Sequence, residues 1–143
     1  MSVKQISVFI ENKQGRLIAV TNCLAARDVN ILALSAADTA DFGILRLIVD
    51  HPKRALAALK EDNFTALETE VIAALSEDRP GGLNVLLEAL ENAGVNVDYI
   101  YAFFGSGKTK PLNIIKVDKM EVAVAALAKA GIKMMDGEEV YNM

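Results

Sequence analysis

Glu77-Asp78-Arg79-Pro80-Gly81-Gly82-Leu83 repeats, 66 positions later, the pattern of Glu11-Asn12-Lys13-Gln14-Gly15-Arg16-Leu17. The same offset lays Val29-Asn30-Ile31 over Val95-Asn96-Val97 and matches Leu24 with Leu90 and Ala36 with Ala102. Residues 11–36 and 77–102 share seven identities in 26 ungapped positions, and most of the others keep their apolar or polar character. Further along the offset is 68: residues 44–50 fall on 112–118, and Ala55, Leu56 and Leu59 fall on Ala123, Val124 and Leu127. The two extra residues belong to the segment 105–111, and insertions are accommodated in exposed turns. The chain therefore reads as two copies of one unit.

Each unit has the pattern strand, helix, strand, strand, helix, strand. In the first copy, alternation marks a strand over residues 5–10. Leu17, Val20 and Leu24, at spacings of three and four, mark a helix over 15–27. Strands follow over 29–36 and 44–49, joined by a polar turn around 38–43. A helix over 53–61 is opened by Pro52, which suits a first helical turn, and 64–67 forms a last, weak strand. The second copy repeats this with strands near 70–75, 95–104, 112–117 and 132–135 and helices near 82–93 and 119–130. A βαββαβ unit with right-handed crossovers makes an antiparallel four-stranded sheet with two helices on one face. The expected fold class is α+β, two ferredoxin-like βαββαβ modules side by side, with boundaries at residues 1–69 and 70–143. No linker separates them, since 64–67 runs through Glu68 and Thr69 into the next strand.

The uncovered face carries an expectation of its own. Residues 97–104 are apolar at nearly every position, the pattern of a strand buried on both sides, and this points to burial by another chain in a symmetric homodimer.

Composition narrows the function classes. With 52% hydrophobic and 24% charged residues, the 143-residue chain has the profile of a globular protein. Its longest apolar run, seven residues from Val122, is far below the roughly 20 that cross a bilayer as a helix, so no membrane partner is expected. The N-terminus enters strand alternation without a secretory pattern, which points to the cytoplasm. Fifteen basic against nineteen acidic residues give a net charge of −4. No basic stripe offsets it, so nucleic acid is not an expected partner. Tyr99, Tyr101 and Phe103 have the spacing of base-stacking residues, but the matching positions of the first copy are Ala33, Ser35 and Ala37.

Catalytic motifs are weak. Gly105-Ser-Gly-Lys-Thr109 echoes a phosphate-binding loop, but the earlier glycine is replaced by Ala102 and no helix follows Thr109. The single histidine, His51, reads as a surface residue at a strand-to-helix junction rather than a catalytic base. No His or Cys pair has zinc spacing, and Cys23 reads as a small buried hydrophobe. Neither a catalytic residue nor a cofactor is expected.

What repeats is the loop before each first helix and the asparagine opening each second strand. Gly15 and Gly81 permit a sharp turn. The helix-start N–H groups of Arg16 and Leu17, or of Gly82 and Leu83, suit a carboxylate. Asn12 or Asp78, with Asn30 or Asn96, supplies oxygens suited to an ammonium group. Together these match the charged ends of a free amino acid. Equally, Asn12 and Asp78 are natural helix caps and the asparagines natural turn formers.

At these residues the sequence resembles the ACT domain family, small modules that sense amino acids in metabolic enzymes. The pattern appears as Asp78-Arg-Pro80-Gly81-Gly82-Leu83 with Gly94-Val-Asn96-Val97, and more loosely as Asn12-Lys-Gln14-Gly15-Arg16-Leu17 with Asp28-Val-Asn30-Ile31. The resemblance implies an effector held between two modules, with the loop 12–17 facing Asn96 and the loop 78–83 facing Asn30. Gln14 in place of Pro and Asp28 in place of Gly leave the first loop less preset. The resemblance also implies a non-catalytic regulatory protein acting on a partner enzyme of amino-acid metabolism. A ligand-free dimeric scaffold and a small enzyme of unrecognised type are the alternatives.

Overall fold

The computed structural model describes residues 2–38, 42–103 and 110–143. Along the chain these form β1 (Val3–Glu11), α1 (Arg16–Ala26), β2 (Ile31–Asp38), β3 (Phe42–Val49), α2 (Pro52–Glu61) and β4 (Thr65–Leu75). There follow α3 (Gly82–Asn92), β5 (Val97–Phe103), β6 (Leu112–Val117), α4 (Met120–Lys129), β7 (Met134–Met135) and α5 (Gly137–Tyr141). The expected class holds: the protein is α+β, with two ferredoxin-like modules built on antiparallel pairings. Two expected strands, 64–67 and 70–75, are one strand, β4, and α5 is an element that periodicity missed. The polar turn of the first copy lies partly, and the Gly105–Thr109 motif wholly, outside the described residues.

Contacts divide the chain into two compact units, Lys4–Thr69 with Glu138–Met143, and Met1–Val3 with Glu70–Gly137. In the first, the strand order is β2-β3-β1-β4, and Ile6, Val8, Leu45 and Leu47 face α1 and α2 in one apolar core with Leu24 and Leu59. In the second, β7 and β6 flank β4 with β5 at the edge, and Ile72, Ala74, Ile115 and Val117 face α3 and α4 with Leu86, Leu90 and Leu127. The first half of β4 thus completes one unit and its second half begins the other. The C-terminal segment belongs to the first unit: the Lys4 backbone N–H donates to the Tyr141 hydroxyl at 2.7 Å and Val140 is fully buried.

The alternate faces are buried only in part: Phe9, Phe42 and Leu67 of the first unit are 40%, 56% and 44% exposed, whereas other positions are closed off. Val71, Ala73, Leu112 and Ile114 are at most 2% exposed, as are Gln5 and Ile48. Gln5 donates to Ser7 Oγ at 3.0 Å, and Ser7 shares a hydrogen bond with Thr69 at 3.1 Å, so the polar side chains taken from water there are paired. Tyr99 and Tyr101 stack at 6.5 Å and are half-buried. Strand β5 itself has no buried residue in the single chain: its side chains are half-buried or exposed along its whole length.

All four long helices end the same way. The residue after the C-cap is left-handed: Asp28 (φ 57°), Asn63 (φ 67°), Gly94 (φ 72°) and Gly131 (φ 76°). Its N–H and the next bond back into the last turn, as in Asp28 N–H to Ala25 O and Val29 N–H to Leu24 O. This is the Schellman closure, completed by an apolar residue at Val29, Phe64, Val95 or Ile132. The first copy uses Asp and Asn, the side-chain-bearing residues that tolerate this conformation, where the second uses Gly.

The C-caps of α1 and α2 are tied together. Arg27 grips Asp62 bidentately at 2.8 and 2.9 Å, and this pairing holds the Asp62 carboxyl at about 2. Beneath them the Cys23 thiol donates to Ala58 O, and burial, the largest cause, pushes it up to about 11. It is the buried small side chain that the sequence indicates.

Two outcomes follow. Gly94 has open space around it, so Gly94→Ala isolates the backbone cost and lowers stability by about 1–2 kcal/mol in urea titrations, whereas Asp28→Gly raises it by a few tenths to about 1 kcal/mol. Because the folded-state pKa of Asp62 is depressed, its contribution is complete above the ordinary value of 3.8 and disappears as pH falls through about 2. Asp62→Asn is therefore less stable than the parent at pH 6, and the gap closes between pH 4 and 2 in pH-dependent melts.

Candidate functional site

A strand must hand the chain to a helix at each repeated loop, and the left-handed glycine makes the reversal possible. Gly15 (φ 89°) and Gly81 (φ 81°) are the N-caps of α1 and α3, and neither helix start has a side-chain cap. The capping alternative for Asn12 and Asp78 is thereby corrected: the cap position falls three residues later, on a residue without a side chain. Arg16 N–H bonds back to Lys13 O and Gly82 N–H to Arg79 O. Next in each helix, the N–H groups of Leu17 and Leu83 have no acceptor among the described residues, so each loop ends in an uncapped helix mouth.

Asn12, Gln14, Asp78 and Pro80 are exposed on these loops. Asn12 and Leu17 line a cavity of about 310 Å³ with Ala36 and Ala37 of β2 and Ile44 of β3. Leu17 remains 45% exposed and Leu83 41%. In the second unit part of the matching hairpin lies outside the described residues.

The asparagines lie elsewhere in each unit. Asn30 precedes β2, beyond the C-terminus of α1, so an eleven-residue helix, about 16 Å long, separates it from the loop of its own unit. Asn30 N–H donates to Asp50 Oδ1 at 2.9 Å, and Asp50 N–H returns to Asn30 O. Asn96 and Asp118 repeat this bracket at 2.9 and 3.2 Å, and Asn96 Nδ2 also donates to Asp98 at 3.0 Å. The brackets fix the backbone while leaving Oδ1 of each asparagine as an acceptor. The turn-forming reading and the ligand reading are thus compatible, one using the backbone and the other the side chain.

Arg16 and Gly82 occupy matching positions and differ most. The Arg16 guanidinium lies over the Phe64 ring, 5.1 Å from its centroid, and its Nε is buried without a partner among the described residues. Gly82 is buried, and a Cβ there would overlap the Glu77 carbonyl oxygen. Glu77 pairs with Lys110 at 2.7 Å, which holds its carboxyl below the usual range.

Sequence reading missed one buried polar pair beside the second loop. Asn113 Nδ2 donates to Ser76 Oγ at 2.9 Å and to Ala74 O at 3.0 Å, with Asn113 only 2% exposed. The available signal was a polar residue in Leu112-Asn-Ile-Ile where the first copy has Leu45. His51 is exposed and 3.7 Å from Asp50, in keeping with a junction residue. Among the described residues no cluster of His, Cys, Asp or Glu is arranged to hold a metal. Nor, among the described residues, is any helix long and apolar enough to cross a membrane.

Two glycine-opened strand-to-helix loops on tandem ferredoxin-like modules define a class of duplicated α+β folds. The family model described as ACT domain pair matches residues 1–143, and the chain belongs to that family. Protein BT0572 from Bacteroides thetaiotaomicron is 35% identical, with a TM-score of 0.93 over 100% of this chain and 98% of its own. The ligand-free regulatory subunit of aspartate kinase from Thermus thermophilus shares the fold at 19% identity, TM-score 0.63, covering 91% of this chain and 93% of that one. The corresponding subunit from Thermus flavus does so at 16% identity, TM-score 0.62, covering 92% and 94%. No curated protein matches the chain in sequence.

Because the Glu77 carbonyl leaves no room, Gly82→Ala costs about 1–3 kcal/mol in urea titrations, the range of an overpacked site.

Proposed function

We propose that the protein is a non-catalytic, cytoplasmic sensor of a free amino acid. The observation that carries the reading is the duplicated uncapped helix mouth behind Gly15 and Gly81. An N–H pair at a helix start attracts a carboxylate through hydrogen bonding and the helix dipole. The Oδ1 atoms of Asn30 and Asn96, whose backbones are pinned by Asp50 and Asp118, suit an ammonium group. In the proposed sites each loop, 12–17 or 78–83, holds the carboxylate end and an asparagine, Asn30 or Asn96, the ammonium end. Gln14 makes the first loop the weaker of the two. The first copy's other departure, Asp28, takes the same left-handed conformation as Gly94 and so leaves the approach to Asn30 unaltered.

A sensor without its own chemistry acts through the difference in ligand affinity between two states. The proposed outlet is a partner enzyme of amino-acid metabolism or the protein's own homodimer. Likeness in fold to the aspartate kinase regulatory subunits supports a regulatory role. Leu17, Ile18 and Leu34, 45%, 61% and 50% exposed, are apolar side chains that a homodimer would cover.

Thermal unfolding with each of the twenty amino acids tests the reading. A true effector at a hundredfold excess over its Kd adds about 2.7 kcal/mol. Asn96→Ala combined with Gly81→Val abolishes that gain, because the first removes an acceptor and the second forces a β-branched residue into a left-handed turn. An unchanged response in the double variant removes the site assignment. No response to any amino acid favours the scaffold, and turnover of a metabolite favours the enzyme.

A further inference from the structure

The two copies act as internal controls for each other, and they diverge together at one place. Ile10, Leu45 and Arg16 of the first copy correspond to Ser76, Asn113 and Gly82 of the second. The β-ladder supports the correspondence, since Val8 pairs with Leu45 as Ala74 pairs with Asn113. In the first unit the space above Phe64 is filled by the Arg16 side chain. In the second, Gly82 contributes no side chain over Ile132, the counterpart of Phe64, and a cavity of about 440 Å³ is open there. That volume lies within the range of small-ligand sites.

The cavity has a built polar floor. Ser76 is 9% exposed and accepts the Asn113 amide, while its own hydroxyl proton has no acceptor among the described residues. Burying a polar pair where apolar residues fit costs stability, and Ile10 and Leu45 demonstrate that apolar residues fit this position of the fold. The walls are apolar at Val85, Leu86 and Ile132. The rim carries Arg79, Lys110 and Lys133 against one carboxylate, Glu77, which Lys110 already pairs. Two positive charges are left over in a chain whose net charge is −4.

We propose that the second unit binds a small aliphatic carboxylate in this cavity, its anionic end near the Ser76 hydroxyl and the Arg79 and Lys133 side chains, its hydrocarbon body against Val85, Leu86 and Ile132. The site shares Gly82 with the loop assigned above but uses neither asparagine and opens toward the C-terminus of α4. It does not depend on the amino-acid reading.

The test is an amide NMR titration of the full chain with 3-methylbutanoate, using 3-methylbutanamide and 3-methylbutylammonium as neutral and cationic counterparts. The expected result is saturable shifts at Ser76, Leu86 and Ile132 with the carboxylate alone. Ser76→Ile with Asn113→Leu, which installs the first copy's residues, fills the floor and weakens binding about tenfold or more. If that variant does not fold, Arg79→Gln with Lys133→Gln at the rim gives an independent reading and also weakens binding. Equal shifts with all three probes, no saturable shift, or undiminished affinity in a folded variant overturns the proposal. Shifts confined to Asn12, Asn30 and Asn96 do so too, by placing the carboxylate at the loop mouths. Carboxylate binding without any amino-acid response upholds this site while ending the sensor reading.

Discussion

Between the Glu77 carbonyl oxygen and the α-carbon of Gly82 there is no room for another carbon atom, and the left-handed residue just before it, Gly81, sets that approach. A strand can pass into a helix within so few residues only if the backbone reverses sharply, and reversal with a positive φ is easiest for glycine. The loop then presents helix-start N–H groups rather than a capping side chain. A Ser or Asp in a standard capping conformation would favour the helix over glycine by only about a few tenths of a kcal/mol and would close the mouth. Both loops forgo that stabilisation, so the uncapped start is a property of the repeat and not a local accident.

The fold was legible because its signals are redundant. Repetition at 66 and 68 positions fixed the element order twice over, and each helix carried its own stop signal in a polar or glycine residue followed by an apolar one. What escaped was set by tertiary context. Thr65–Leu75 reads as two strands because Glu68, Thr69 and Glu70 interrupt the apolar pattern, yet their backbones continue one ladder. The helix at Gly137–Tyr141 is too short for periodicity, and it is held by the Tyr141 hydroxyl contact to Lys4 and the buried Val140. The site was legible only in part. The loops announced themselves by composition, but the Ser76–Asn113 pair becomes visible only once β4 and β6 are placed in register. The apolar run 97–104 belongs with that pair: such a run marks side chains suited to burial without reporting what covers them.

Divergence between the copies is concentrated rather than diffuse. Asp28 and Asn63 preserve the left-handed closures that Gly94 and Gly131 make, so those exchanges leave the backbone path alone. The exchange of Arg16 for Gly82 alters what occupies the space behind the loop. One copy answers with a cation laid on an aromatic ring, the other with a cavity lined by the Ser76 hydroxyl, which the Asn113 amide holds from behind.

Tyr141 meets the backbone of Lys4 across 137 residues of chain. During translation the first unit's strands and helices emerge early, but the segment that completes it, 138–143, is made only after the second unit. Domains ordinarily mature in the order they are made; here the earlier-made half must wait for residues 138–143 before its last contacts form. A bulky group placed directly after Met143 would burden the folding of residues around Lys4.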